Sequence, residues 1–298
     1  MQYFFDDIRS MSIAGSTRSD SSLSEDDFAH GRNALVLMDG ATVIDGSDNH
    51  FLDNASDAYW LSHRGCELMM KELQKIEATE EMLALRRVLA TLKSEYEQVV
   101  GQIPADSTPA DVPNSTLSCA WIVEDRLEIL QLGDCPVSLR KVDGSYVCLP
   151  GDANLAKISQ QNESDIARLI EEGTELADAV AVLRPQCVDM RRSMCNNGYA
   201  GSYSIFAFVG EDFIRPKTVS LPASEVESVC LYSDGYAELM MFDESMSMES
   251  LHDETMRSIP SCMGKLLSAQ ELDSHCIRFP RFKKRDDITV VSASISRG

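Results

Sequence analysis

The chain has 298 residues, of which 44% are hydrophobic and 25% charged, the composition of an ordinary soluble globular protein with room for a well-buried core. Acidic residues outnumber basic ones by 48 to 27, and the formal net charge of −21 repels nucleic acid and anionic membranes. We therefore expect neither as a partner. No apolar stretch is long enough to span a membrane, and the first residues lack the pattern of a signal peptide.

The nine cysteines are scattered along the chain, and their spacings are not typical of zinc or redox pairs. Several lie inside apolar runs, where a thiol packs as a small hydrophobic side chain. An odd set of this kind indicates reduced thiols in an intracellular protein. We therefore predict a cytoplasmic location, without excluding the nucleus.

Two strands and two helices are predicted in the first third of the chain. Residues 1–11 are expected to be a flexible start, and residues 11–14 a first strand followed by a serine-rich loop. A second strand runs over the aliphatic residues 34–38. Apolar residues spaced near 3.6 predict a helix from Trp60 to Leu73, and a second helix ends at Gly101.

The rest of the chain alternates strand blocks with helices. The proline-rich residues 101–113 are interpreted as an internal loop, because a strand meander follows them, and the whole chain 1–298 as a single domain. Strands are predicted at 115–124, 126–132, 136–142, 145–149, 203–208, 229–232 and 288–295; helices at 163–172 and 176–183, with short helices across 236–272. Asp143 and Gly144 predict a hairpin turn. The pattern favours an α+β sandwich of mostly antiparallel sheets.

Acidic residues lie at the ends of four predicted strands. Asp39, Asp134 and Asp234 each follow a strand, and the pair Asp286 and Asp287 precedes the last one. Carboxylates gathered in one place raise one another's pKa unless a cation lies between them. Ligands that are all oxygen suit a hard divalent ion such as Mg or Mn. The pattern therefore indicates a metal site, although each acid alone is also compatible with a plain turn.

Five motifs, in this order, resemble those of the metal-dependent serine/threonine protein phosphatases, the PPM or type-2C family. They are Ser24-Glu25-Asp26, where the family has Asn-Glu-Asp; Asp39-Gly40-Ala41-Thr42; Gly133-Asp134-Cys135, where it has Gly-Asp-Ser; Ser233-Asp234-Gly235; and Asp286-Asp287-Ile288-Thr289, where it has Asp-Asn-Ile-Thr. Each motif alone is weak, but all five at predicted strand ends make a specific signal over roughly residues 12–296. The Asp-Gly-Ala-Thr motif, with Arg191-Arg192 leading to Tyr203, is similar to the short bacterial-type branch.

The resemblance implies a fold and an activity. The fold is a four-layer α-β-β-α sandwich, with two central antiparallel sheets flanked by helix pairs. The activity is Mg- or Mn-dependent hydrolysis of phosphomonoesters, with phosphoserine and phosphothreonine in proteins as substrates. Two ions about 3.5–4 Å apart would activate a shared water for attack on phosphorus.

The resemblance also implies roles for individual residues. Asp39 would bridge the two ions, the carbonyl of Gly40 would bind one of them, and Asp234 and Asp286 would complete the ligand set. Asp287 occupies the asparagine position of the family motif and is a secondary candidate.

The resemblance also gives secondary roles to several residues outside the main ligand set. Glu25 and Asp26 would act through metal-bound water or order the first strand. Asp134 and Glu238 would contribute to a third, weaker ion, and a strand-end turn is an equally good interpretation of Asp134. Arg18, six residues before Ser24, is the candidate phosphate contact.

The chain also departs from the family pattern. No histidine follows Asp39-Gly40 to protonate the leaving alcohol, and His63 is expected to be a surface or packing residue. Residues 283–285, Lys-Lys-Arg, would either attract an anionic substrate or form a solvated run. The alternative function is therefore a weak or inactive pseudophosphatase that binds a phosphoprotein or another partner. A binding module whose acids are only turn residues explains each motif singly but not their joint order.

Overall fold

The structure is a computed structural model that describes residues 2–15, 23–41, 50–53, 55–75 and 80–298. Its strands form two five-stranded sheets in which every pairing is antiparallel. Sheet I has the order β1-β10-β9-β6-β7 and sheet II the order β2-β3-β4-β5-β8. The strands are β1 Tyr3–Ile13, β2 Asp26–His30, β3 Ala34–Ala41, β4 Asn114–Val123, β5 Arg126–Leu132, β6 Val137–Lys141, β7 Tyr146–Leu149, β8 Lys217–Pro222, β9 Val226–Tyr232 and β10 Ile288–Arg297.

The described residues also form helices, of which four are long and four short. They are α1 Asp57–Leu73, α2 Glu81–Val100, α3 Ala153–Glu171, α4 Leu176–Met194, α5 Asp234–Ala237, α6 Leu239–Phe242, α7 Met248–Arg257 and α8 Ile259–Leu272. None of the helices in this part of the chain is both long and apolar enough to cross a membrane. All nine cysteines are free thiols, and most of them are buried.

The alternation of side chains along β3 builds two cores from one aliphatic run. Leu35 and Leu37 point between the sheets, where they pack with Ile129 of β5 and Val229 of β9. Val36 and Met38 point the other way, into the core under α1 and α2. Both faces of β3 are therefore buried, which explains why its sequence is continuously apolar.

Helices α7 and α8 cover the outer face of sheet I in the same manner. Leu251 and Leu266 from these helices pack on Tyr232 of β9 and Val290 of β10. With α1 and α2 on the opposite outer face, the order of layers is helix, sheet, sheet, helix. The expected α+β fold, a four-layer α-β-β-α sandwich, is confirmed.

The start of the chain is a strand and not the flexible segment expected for residues 1–11. β1 pairs with β10 from Tyr3 opposite Arg297 to Ile13 opposite Ile288. Its sequence is largely polar because β1 lies at the edge of sheet I, where only one side chain in its span, Phe5, is fully buried between the sheets. The apolar periodicity was therefore too weak to reveal the whole strand.

Three other expectations were wrong in the middle of the chain. Residues 203–208 form only isolated bridges and no strand, although their apolar side chains fill the core in a similar way. The polar edge strand β8 was missed. Helices α3 and α4 are much longer than the expected 163–172 and 176–183: α3 begins behind its N-cap Asp152, and α4 continues through Pro185, which usually ends a helix. The hairpin at Asp143 and Gly144 is confirmed, with Gly144 at φ 85°.

We predict that Leu37→Ala lowers the free energy of unfolding by about 2–5 kcal/mol, because the truncation leaves a cavity between the two sheets. Urea denaturation measures this change. Leu272→Ala is the matched control, because the Leu272 side chain is 90% exposed, and its effect should stay within about 0.5 kcal/mol. Equal effects of the two substitutions would contradict the assignment of Leu37 to the intersheet core.

A buried histidine joins α7 to sheet I. His252 is fully buried, and its Nδ1 and Nε2 lie 2.7 Å and 2.8 Å from the hydroxyl oxygens of Ser138 and Ser228. The hydroxyl of Tyr232 lies 2.7 Å from Ser138 Oγ and extends this network. Burial lowers the pKa of His252 to about 4, because the charged imidazolium loses its hydration. The neutral ring is therefore the form that stabilises the fold.

We predict that this histidine makes stability depend on pH. A base whose pKa is lower in the folded chain stabilises the protein above its unfolded pKa of 6.5, and this contribution is lost as the pH falls towards 4. Protonation of His252 should therefore lower the free energy of unfolding by about 2 kcal/mol as the pH falls from 7.5 to 5. Urea denaturation of wild type and His252→Gln at both pH values tests this. The same pH dependence in both proteins would contradict it.

Candidate metal centre

Acids from both sheets meet at one end of the sandwich. Asp39 lies near the end of β3 in sheet II, and Asp26 faces it across the β2–β3 register. Asp234 begins α5, two residues after the end of β9, and Asp286 precedes β10, the neighbour of β9 in sheet I. We call Asp26, Asp39, Asp234 and Asp286 the acid cluster. The topology therefore brings together side chains that are up to 260 positions apart in the sequence.

Asp39 and Asp234 form the link between the two sheets. Their carboxyl groups share a hydrogen bond, which requires a proton between them. The pKa of Asp39 is raised well above its ordinary value, first by burial and then by the charges of Asp234 and Asp26. Asp234 is open to solvent, yet crowding by protein atoms removes part of its hydration and raises its pKa, and the charge of Asp286 adds to the effect.

Asp26 is the most deeply buried member of the acid cluster. Its side chain is 2% exposed, and its Oδ2 has no hydrogen-bond partner among the described residues. Burial raises its pKa well above the ordinary value, and Asp287, Asp234 and Asp286 raise it further. A buried carboxylate oxygen without a donor is costly unless a cation or a proton satisfies it.

Asp286 and its neighbour Asp287 have different surroundings. Asp286 Oδ1 accepts a hydrogen bond from Lys283 Nζ at 2.6 Å. Asp287 instead accepts from two backbone N–H groups, of Gly15 at 2.5 Å and of Glu25 at 2.7 Å. Asp287 therefore ties the chain segments around residues 15 and 25 to the start of β10.

Glu25 holds the first helix against the sheets. Its carboxylate accepts a hydrogen bond from Ser56 Oγ, the N-cap residue of α1. Its backbone carbonyl accepts from Ser62 Oγ and from the N–H of Gly40 at 3.2 Å. Glu25 thus connects Gly40, next to Asp39, to the first turns of α1.

Asp134 and Glu238 lie at the margin of the acid cluster. The pKa of Asp134 is raised to about 7 by burial and by the charge of Asp234. The pKa of Glu238 is also raised to about 7 by burial, which outweighs the hydrogen bond from Gln270 Nε2 at 2.9 Å. Both acids are therefore within electrostatic range of the cluster.

Several other candidate residues lie apart from the cluster or outside the described part. Arg18 lies outside the described residues, so its expected role as a phosphate contact stays a prediction. His63 stacks on Tyr59 with ring centroids 3.8 Å apart, and its Nε2 lies 3.8 Å from Asp27 Oδ1. It is thus a packing residue of α1, as expected.

A pair that the sequence did not reveal lies beside Gly40. Asp57 is fully buried at the start of α1. Its Oδ1 accepts a hydrogen bond from the backbone N–H of His50 at 2.9 Å, and its Oδ2 lies 2.6 Å from His50 Nδ1. A Cβ on Gly40 would lie 3.0 Å from the carbonyl oxygen of Ala58, the next residue. No sequence pattern places His50 beside Asp57, because tertiary packing sets this pairing.

The donor set of the cluster fits a hard divalent cation. In the part of the chain that the structure describes, no three His, Cys, Asp or Glu side chains are arranged to hold a metal ion as they stand. The acid cluster nevertheless offers only oxygen donors, a carboxyl pair that needs a shared proton, and the orphaned Oδ2 of Asp26. A divalent ion would satisfy these groups together.

Comparisons with solved structures support the fold. The catalytic domain of the serine/threonine protein phosphatase PstP, in complex with two manganese ions, matches with a TM-score of 0.52 at 17% identity, over 99% of this chain and 100% of that one. Stp1 from Staphylococcus aureus matches with a TM-score of 0.51 at 14% identity, over 98% and 95% of the two chains. PppA, a regulatory component of T6SS in Pseudomonas aeruginosa, matches with 0.54 at 16%, over 99% of each.

At these identities the structural likeness shows the fold alone. A search of curated proteins by sequence gave no significant match. The sequence model of the family described as Protein phosphatase 2C, however, matches residues 13–272, well over half of the chain. This stretch contains β2, β3, β9 and thus three of the four acids of the cluster. The chain therefore belongs to the protein phosphatase 2C family, the metal-dependent serine/threonine protein phosphatases, which are hydrolases.

Proposed function

We propose that this protein hydrolyses phosphomonoesters with Mg or Mn, and that its substrates are phosphoserine and phosphothreonine in proteins. The observation that carries the proposal is the acid cluster, in which carboxylates from both sheets meet although the charges of Asp26, Asp234 and Asp286 each raise the pKa of at least one other member. A fold without a metal has no need of such a cluster and is destabilised by it. The similar phosphatase PstP was solved with two manganese ions.

The chain supplies the groups that would hold two ions. Asp39, the carbonyl of Gly40, Asp234 and Asp286 are the proposed ligands, with Asp39 shared between both ions. When bound, the ions would supply the positive charge that makes a water nucleophilic near neutral pH and offsets charge on the phosphoryl oxygens. The residues themselves orient this site, because Asp39 and Asp234 already touch across the two sheets.

The secondary candidates have narrower proposed roles. Glu25 and Asp26 would act behind the ligands: Glu25 fixes Gly40, and the free Oδ2 of Asp26 is available to a bound water or ion. Asp134 and Glu238 would contribute to a third, weaker ion. Asp287 would act as a structural residue, because both of its oxygens already accept from backbone N–H groups.

Glycine allows the acid-bearing segments to approach each other closely. A Cβ on Gly235 would lie 2.0 Å from the backbone oxygen of Asp287, and one on Gly40 would lie 2.6 Å from the backbone oxygen of Glu25. Any side chain at Gly235 would therefore push Asp234 away from the segment that carries Asp286. The spacing of the proposed ligands depends on this contact.

A catalytically weak or inactive pseudophosphatase is the second candidate. The observation in its favour is the sequence after Asp39-Gly40, which places alanine where a proton-donating histidine would follow. Loss of a general acid slows a reaction by about 10²–10⁴-fold. A pseudophosphatase would bind a phosphoprotein without hydrolysing it. An active enzyme, which we expect in the cytoplasm, would also release phosphate.

We predict that Asp39→Asn and Asp234→Asn each reduce turnover by at least about 10²-fold, because each removes a charged ligand. Hydrolysis of p-nitrophenyl phosphate and of a phosphothreonine peptide is measured with Mn, with Mg and with EDTA. Asp143→Asn is the matched control, because Asp143 is an exposed acid that also precedes a glycine, and it should leave turnover unchanged.

Turnover that needs a divalent ion and is lost in both variants would support the enzyme. Metal binding by calorimetry without turnover would favour the pseudophosphatase. Turnover that survives in EDTA, or that the two variants keep, would contradict the proposed site.

We also predict that Gly235→Ala lowers both turnover and stability, the latter by about 1–3 kcal/mol, because the new Cβ overlaps the backbone of Asp287. Gly264→Ala in α8 is the control. No atom lies within 4 Å of a Cβ at that position, so alanine there should stabilise the helix by up to about 1 kcal/mol. Thermal unfolding and p-nitrophenyl phosphate hydrolysis of both variants test the pair. Unchanged turnover in Gly235→Ala would contradict the importance of this contact.

A further inference from the structure

The three basic residues before Asp286 do not form one solvated run. Lys284 and Arg285 both turn towards Glu271, with nitrogen–oxygen distances of 3.8 Å and 3.6 Å. Lys283 turns the other way, and its Nζ lies 2.6 Å from Asp286 Oδ1. The backbone thus divides the run between two acids, and one ammonium group is directed into the candidate metal centre.

The charge of Lys283 acts on the whole acid cluster. Its pKa is raised: loss of hydration opposes the charged form, but Asp286, Asp234 and Asp39 together outweigh that effect. In return Lys283 lowers the pKa of Asp234. Among the residues that the structure describes, Lys283 is the basic side chain that forms an ion pair with Asp39, Asp234 or Asp286. It therefore supplies part of the positive charge that the cluster needs.

A divalent ion on Asp286 would compete with this ammonium group. Asp286 Oδ1 already accepts from Lys283 Nζ and, at 2.9 Å, from the backbone N–H of Asp287. A metal ion that binds this oxygen must either displace the ammonium group or be repelled by it at short range. This repulsion is strong because the protein screens charge less than water does. The Lys283 side chain is 42% exposed and flexible, so it has solvent to move into.

We propose that Lys283 is a tethered counter-cation of the acid cluster. It neutralises Asp286 until a divalent ion binds, and the ion must displace it or bear its repulsion, so Lys283 weakens the metal affinity of the site. This inference rests on the proposed metal site but goes beyond it, because it assigns a role to a residue that is not a ligand.

Calorimetric titration of Mn into the full-length metal-free chain tests the proposal. Lys283→Met keeps the length of the side chain and removes its charge, and it should tighten Mn binding between about twofold and tenfold. Lys283→Arg should bind as wild type does. Lys284→Met, from the same basic run, is the matched control and should stay within about a factor of two of wild type. Unchanged or weaker Mn binding by Lys283→Met overturns the proposal.

Thermal unfolding gives a second readout that does not depend on activity. In EDTA, Lys283→Met should unfold a few degrees below wild type, because Asp286 then loses its counter-cation. In saturating Mn this difference should disappear or change sign, because the metal then neutralises Asp286. A variant that is as stable as wild type in EDTA overturns the proposal.

The same experiments separate this inference from the proposed function. Wild type that binds Mn and hydrolyses p-nitrophenyl phosphate, with the same affinity in Lys283→Met, overturns the role of Lys283 alone. Mn binding by Lys283→Met where wild type binds none supports the role of Lys283 strongly. Absence of binding in both proteins overturns the metal site and the inference together.

Discussion

Repulsion among carboxylates at one end of the sandwich is the constraint on which the rest of the structure depends. Asp26 and Asp39 from sheet II lie against Asp234 and Asp286 from sheet I, and the charges of Asp26, Asp234 and Asp286 each raise the pKa of at least one other member. The hydrogen bond that Asp39 and Asp234 share offsets only part of this repulsion. The aliphatic core between the sheets holds the strands together, so the hydrophobic free energy of burial offsets the repulsion. The large apolar core therefore allows the fold to hold acidic side chains together at one end of the sandwich.

A few polar contacts around the cluster hold the acid-bearing segments in place against this repulsion. Asp287 fastens the segments at Gly15 and Glu25 to the start of β10, and Glu25 in turn fastens Gly40 to α1. Apart from the Ser62 hydroxyl, the donors in these contacts are backbone N–H groups, which cannot move without moving the main chain. Lys283 is different, because its long side chain can leave. The fixed contacts preserve the geometry of the acids, while the movable charge leaves the site open to a metal ion.

Much of this arrangement was predictable from the sequence, because it follows from local patterns. The continuous apolar run of β3 indicated the sheets, and the acids at strand ends indicated a candidate metal site. What escaped prediction depends on tertiary context: β1 and β8 are edge strands with polar sequences, and residues 203–208 are apolar because they are buried and not because they form a strand. The direction of Lys283, away from Lys284, and the pairing of His50 with Asp57 are also set by packing between distant segments.

Acids in this protein divide into two kinds according to their hydrogen-bond donors. Both oxygens of Asp287 accept from backbone N–H groups, and both oxygens of Asp57 are taken up by His50. Each oxygen of these two carboxylates already has a hydrogen-bond partner in the chain, so both acids hold chain segments together.

Asp39 and Asp234 instead face each other, and Asp26 keeps one oxygen without a partner. A carboxylate that the fold leaves unsatisfied is costly, so its retention favours a ligand from outside the chain. The family motif already aligns Asp286 with a metal ligand and Asp287 with an asparagine. The hydrogen-bond donors of the two side chains favour the same choice: Asp287 is satisfied by the backbone, whereas one partner of Asp286 is an ammonium group that a stronger cation can replace.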